Sequence, residues 1–167
     1  MSGCLIAALV ILTLLLLFFW PAGRARFRNV LIRDLRRHLE FLLKVTRDGS
    51  FLILEDGKSS RFLQFRKATD NKGGGFLVLD FPDAPWSRCY FEGIARALTD
   101  HGVNFTMVET ESLECPRFLE VQNIVSAEEA HEIAKILFRE LGFAEDAKVN
   151  VLLHASGVER VGRSVKG

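Results

Sequence analysis

Chemistry in a chain of this kind needs a nucleophile beside a base, or metal ligands that converge, and few side chains here could supply either. The thiols are Cys4, Cys89 and Cys115, and the histidines are His38, His101, His131 and His154. Cys115 precedes Pro116 in the loop-like stretch TESLECP, which makes it the thiol best placed for a reactive role with one of the histidines as its base. No recognised spacing joins the two. The run EEAHE at 128–132 gathers carboxylates around His131 but lacks the H-E-x-x-H spacing that sets two histidines on one helical face, so it reads as a solvated charged face. His38 reads as a helix-surface residue. Glu109, Glu111 and Glu114 could form an acidic site, although surface loops and edge strands carry such charges to deter aggregation.

The remaining motifs are weaker still. Gly73–Gly75 follow Lys72, whereas a phosphate-binding loop needs its lysine after the glycines with Ser or Thr next, so a turn is expected. Three cysteines without a C-x-x-C pair write neither a disulfide framework nor a zinc site, and no metal or cofactor is expected. Fourteen phenylalanines against one tyrosine and two tryptophans suit a core better than a base-stacking platform, which argues against a nucleic-acid partner. Trp86, in the loop DAPWS, is the candidate for contact with a partner protein, because an exposed indole beside a helix start makes a good anchor.

The elements that must position these residues begin with an apolar run. Gly3–Trp20 contains no charged residue, and as a helix those residues would extend about 27 Å, enough for a thin bilayer. A cleaved signal peptide would start with positive charge and end in a small-residue site, whereas FFWPAG carries a proline, so a retained transmembrane anchor over 1–23 is expected. Arg24, Arg26, Arg28, Arg33, Arg36 and Arg37 follow it, which places the N-terminus outside the cell membrane and the rest in the cytoplasm. Trp20 would sit at the headgroups, with Arg24, Arg26 and Arg28 against anionic lipid. Residues 1–47 carry eight basic and two acidic side chains, and the remainder fourteen and nineteen, so a basic neck joins a mildly acidic body.

Over 24–47 the stripe Phe27, Leu31, Leu35, Leu39 and Leu42 predicts a basic amphipathic helix beside the membrane. A domain over 48–155 follows. Its hairpin is Phe51–Glu55 and Arg61–Lys67 around Asp56-Gly57, with a third strand at Gly75–Phe81. A helix from about Ser87 ends at Gly102, and strands at Asn104–Glu109 and Arg117–Val125 come next. Ser126 and Glu129 form a capping box that opens a helix ended by Gly142, and Lys148–His154 alternates as a strand should. The tail over 156–167 is expected to be flexible. The order α-β-β-β-α-β-β-α-β predicts an α+β fold, an antiparallel sheet with helices on one face, behind the transmembrane helix.

SSRFLQFRK, followed by GGGFLVLDFPD and a helix, resembles the small α+β modules of the type III secretion chaperone-like group over about residues 40–155. The resemblance implies a binding or chaperone-like module, often dimeric, without catalytic residues. The expected function is a membrane-tethered cytoplasmic domain that binds an unknown protein partner and touches membrane lipid, with a homodimer possible. The rival is a thiol-dependent or hydrolytic enzyme built on Cys115 and a histidine.

Overall fold

A computed structural model describes residues 23–59 and 61–156. The expected anchor, Trp20 included, and the tail beyond Ser156 lie outside the described residues. Among the described residues no helix is long and apolar enough to cross a membrane.

Among the described residues the fold is α+β, with seven antiparallel strands and three helices. The strands are β1 (Arg24–Leu31), β2 (Phe51–Glu55), β3 (Phe62–Thr69), β4 (Gly75–Pro82), β5 (Thr106–Glu109), β6 (Arg117–Ile124) and β7 (Lys148–His154). The helices are α1 (Arg36–Val45), α2 (Arg88–Asp100) and α3 (Ala127–Glu140), with a 3-10 turn at Ile32–Asp34 before α1. Across the sheet the strands run β1-β7-β2-β3-β4-β6-β5, so β7 lies between the first strand and the hairpin.

Alternation along each strand sorts the side chains into two faces. Leu52 and Leu54 of β2 lie opposite Phe65 and Leu63 of β3 and opposite Leu153 and Val151 of β7. Leu79 and Phe81 of β4 continue the same face onto Val121 and Leu119 of β6. All of these are buried, and they form one cluster with Leu39 and Leu42 of α1, Phe91, Ile94 and Leu98 of α2, and Ile133, Ala134 and Leu137 of α3. The opposite face carries Phe51, Ile53, Phe62, Gln64, Arg66, Asp80 and Glu120, all partly exposed. On it Arg66 reaches Asp80 at 2.8 Å and Glu120 at 2.5 Å, across three strands. Burial raises the pKa of Asp80, against the opposing effect of Arg66.

Local chemistry explains the boundaries. The Ser126 hydroxyl accepts from the Glu129 N–H at 3.1 Å, while the Glu129 carboxylate reaches back to the Val125 N–H at 3.2 Å, one residue earlier than a standard capping box. Helix α1 ends where the Thr46 hydroxyl donates to the Leu42 carbonyl at 2.6 Å and the buried Lys67 ammonium donates to the Thr46 carbonyl. A cation at a helix C-terminus complements its dipole.

The beginning of the domain differs from the sequence expectation. Arg24–Leu31 is not the first half of a juxtamembrane helix but a strand paired antiparallel with β7, so the observed order starts with β and the helix begins only at Arg36. The Phe27–Leu31–Leu35 spacing fits a helix, yet arginines at 24, 26 and 28 also alternate with Ala25 and Phe27, which is the period of a strand. Hydrogen bonds to β7 decide between the two. The register slips between Phe27 and Val30, where Asn29 adopts φ 57° and the displaced chain turns Val30 into the core.

Asparagine is among the few non-glycine residues that tolerate this left-handed backbone. Asn29→Val is therefore expected to cost about 1–2 kcal/mol, read from the urea midpoint of the detergent-solubilised chain. Asn29→Gly is expected to leave the midpoint in place. Equal losses from both would show that the asparagine side chain, not the turn, matters.

Candidate functional site

The helical layer stops short of the sheet edge formed by β1. Between β1 and α1 this leaves an open apolar groove of about 450 Å³, within the usual size range of ligand pockets. Ala25, Leu153 and Leu52 are successive partners across β1, β7 and β2 and form its floor. Phe27 from β1 and Phe41 from α1 stand at its sides, 43% and 39% exposed, with Arg37 and His38 on the helical wall.

His38 is the unusual member. Sequence placed it on the helix surface, but it is only 8% exposed, because the helical stripe that buries Leu39 and Leu42 rotates its imidazole under Phe27. The two rings meet edge to face with centroids 4.8 Å apart. Its Nδ1 is buried and has no hydrogen-bond partner among the described residues. The Asp34 backbone carbonyl, one turn back on the chain, lies near enough to the ring to act on its proton. Burial and then the Arg37 charge lower the His38 pKa from 6.5, against the opposing effects of the Asp34 carbonyl and carboxylate. Arg37 itself forms no ion pair among the described residues.

A larger cavity of about 640 Å³ opens near His101 and Gly102, between β6 and α3. Two of its lining groups, Lys135 and Glu132, pair at 2.7 Å, and a third, Glu129, accepts from the Val125 N–H. Among the described residues no three His, Cys, Asp or Glu side chains gather as a metal site would require.

The residues singled out by sequence are scattered. Arg24, Arg26 and Arg28 are exposed on β1, and Arg26 bridges to Glu55 at 2.8 Å over the intervening strand. Trp86 is half-buried, its ring 5.1 Å from Phe62 and 5.8 Å from Phe81, so it covers the end of the sheet. Gly73 and Gly74 lie in a turn organised by Asp70, whose carboxylate accepts from the Lys72 N–H at 2.8 Å and the Gly74 N–H at 2.6 Å. Two amides that a phosphate could have used are thereby taken. His131 Nε2 lies 2.8 Å from the Ile32 carbonyl, so this histidine ties α3 to the turn after β1 rather than sitting on a solvated face.

Cys115 is partly buried, with Sγ 3.6 Å from the Arg117 carbonyl oxygen. Burial raises its thiol pKa, the opposite of what a nucleophile needs. None of the four histidines hydrogen-bonds to it: His101 and His131 contact backbone carbonyls, His154 stacks on Phe51, and His38 lies under Phe27.

No family model, curated protein or solved structure matches the chain.

Two measurements check this description. The folded state binds a proton at His38 less readily than the unfolded chain, so the stability it contributes is held above 6.5 and lost as pH falls through that value. His38→Leu should therefore flatten the fall in urea midpoint between about pH 7.5 and pH 5.5; a fall as steep as in the parent chain would remove His38 from the account. Iodoacetamide at neutral pH should alkylate Cys115 more slowly than the exposed Cys89. Peptide mapping that finds Cys115 labelled first would revive the thiol chemistry.

Proposed function

We propose that the chain is a single-pass membrane protein, N-terminus outside, whose cytoplasmic α+β domain binds a protein partner at the bilayer surface without catalysis. The observation that carries this reading is where the sheet begins. β1 starts at Arg24 and is hydrogen-bonded to β7 at once. A membrane helix ending at Trp20 would leave Pro21, Ala22 and Gly23 as the whole connection, a reach of about 10 Å. The sheet edge, with its exposed Arg24 and Arg28, then lies against the headgroups.

The mechanism is positional, because tethering raises the local concentration of a partner with no new contact. The helix-free face of the sheet, with Phe51, Ile53 and Phe62 around the Arg66 ion-pair group, is the surface offered to that partner. The resemblance to type III secretion chaperone-like modules supports a binding role, although a first strand at the sheet edge departs from the pattern on which it was drawn. The enzyme reading is disfavoured by the raised thiol pKa of Cys115 and by histidines that contact other groups.

Fractionation of cells making the full chain, with protease applied to one side of the membrane at a time and the mature mass measured, tests the proposal. An intact mass, a membrane-bound chain and a body digested only from the cytoplasmic side are expected. Loss of about the first twenty-three residues, as after signal cleavage, would overturn both the tether and its orientation.

A further inference from the structure

We infer that the groove between β1 and α1 takes one acyl chain of an anionic phospholipid drawn part-way out of the bilayer, its phosphate against Arg37 and an ester oxygen at His38. This deepens the tethered reading and rests on it for the source of the lipid.

The groove asks for an amphipathic occupant. Its floor of Ala25, Leu52 and Leu153 offers only hydrocarbon, and Phe27 and Phe41 leave much of their rings in water unless something covers them. One polar atom interrupts that surface. It belongs to His38, whose imidazole lines the groove beside Arg37. Arg37, at the same wall, brings a positive charge that no carboxylate among the described residues neutralises. An apolar tail joined to an oxygen-rich anionic head satisfies all three features, whereas an apolar peptide would leave the arginine and the imidazole unmet.

Position and charge favour a membrane phospholipid over a second copy of the chain. Ala25 is the second residue of β1, so the groove opens where the chain leaves its uncharged N-terminal run. Moving an acyl chain from bilayer to groove exchanges one apolar surrounding for another, so little hydrophobic free energy is lost. Edge-to-edge pairing of two β1 strands would instead set Arg24, Arg26 and Arg28 of one copy against the same arginines of another, a repulsive arrangement.

The test uses the full chain in vesicles of phosphatidylglycerol and phosphatidylcholine, the phosphatidylglycerol carrying a photoactivatable diazirine at the end of one acyl chain. In an undisturbed bilayer that group lies at the midplane and reaches only a membrane-spanning segment. After irradiation and peptide mapping, labels are expected in residues 5–20 and also at Phe27 and Phe41. Arg37→Glu should cut groove labelling about fivefold and leave residues 5–20 labelled as before, while Arg37→Lys restores much of it. Phe41→Glu, at an exposed position, should abolish the label on Phe27 with the circular dichroism spectrum unchanged.

Labels confined to residues 5–20 would overturn the lipid inference and leave the tether standing. Labels at Phe27 and Phe41 with none in residues 5–20 would do the reverse, supporting an acyl-chain site on a domain with no anchor. Equal groove labelling when the diazirine chain is carried by phosphatidylcholine would overturn the anionic headgroup. Labelling by a diazirine fatty acid but not by the phospholipid would overturn the assignment in favour of a free fatty acid.

Discussion

The pairing of β7 on both of its edges is the constraint on which the rest of the domain depends. Among the described residues β1 pairs as a strand only with β7, and apart from the Arg26–Glu55 bridge the hairpin of β2 and β3 reaches β1 through it. Val149, Val151 and Leu153, the inward residues of β7, are buried because strands flank them on both sides and helices lie over them. Alternation alone would describe an edge strand equally well. Central placement turns a seven-residue segment into the joint between the two ends of the described chain.

From that joint follows the uneven cover of the sheet. Three helices cannot span seven strands, and α2 and α3 pack together while α1 leans on α3 and the middle of the sheet. What they leave bare is the inner side of β1 at one edge and the whole of β5 at the other. In a soluble enzyme such a bare edge would invite aggregation, and arginines on the edge are one recognised defence. Here the same arginines stand next to an apolar groove whose lining also holds Arg37 and His38, so the edge that is protected from its own kind is also the one the lipid inference concerns.

How much of this was legible in the sequence depended on the distance over which each signal acts. Phe51–Glu55 and Lys148–His154 were readable to the residue because alternation and turn chemistry are local. The Ser126 cap was readable for the same reason. Arg24–Leu31 was not, because its residues satisfy a helical stripe and a strand alternation together, and only a partner far along the chain breaks the tie. His38 was missed by the same mechanism: once Phe27 belongs to a strand, it folds over the helix and buries the imidazole. Cys115 and Trp86 were legible as loop residues, but whether a loop side chain faces solvent or packs back on the sheet is set by neighbours such as Phe62 and Arg117. A site assembled from one strand, one helix turn and two distant strands leaves no contiguous motif to find.

The position of β7 also orders events during synthesis. β1 emerges from the ribosome long before β7 exists, since the whole stretch from Ile32 to Ala147 must be made between them. Pairings so distant along the chain are slow to form, because loop closure must precede any gain from contact. Until then Phe27 and Val30 have no sheet to cover them, in a nascent segment already next to the translocation machinery if the N-terminus has inserted. On the proposed tether, the bilayer surface would offer that segment both a hydrocarbon boundary and a negative charge for its arginines while the remainder of the domain is being made.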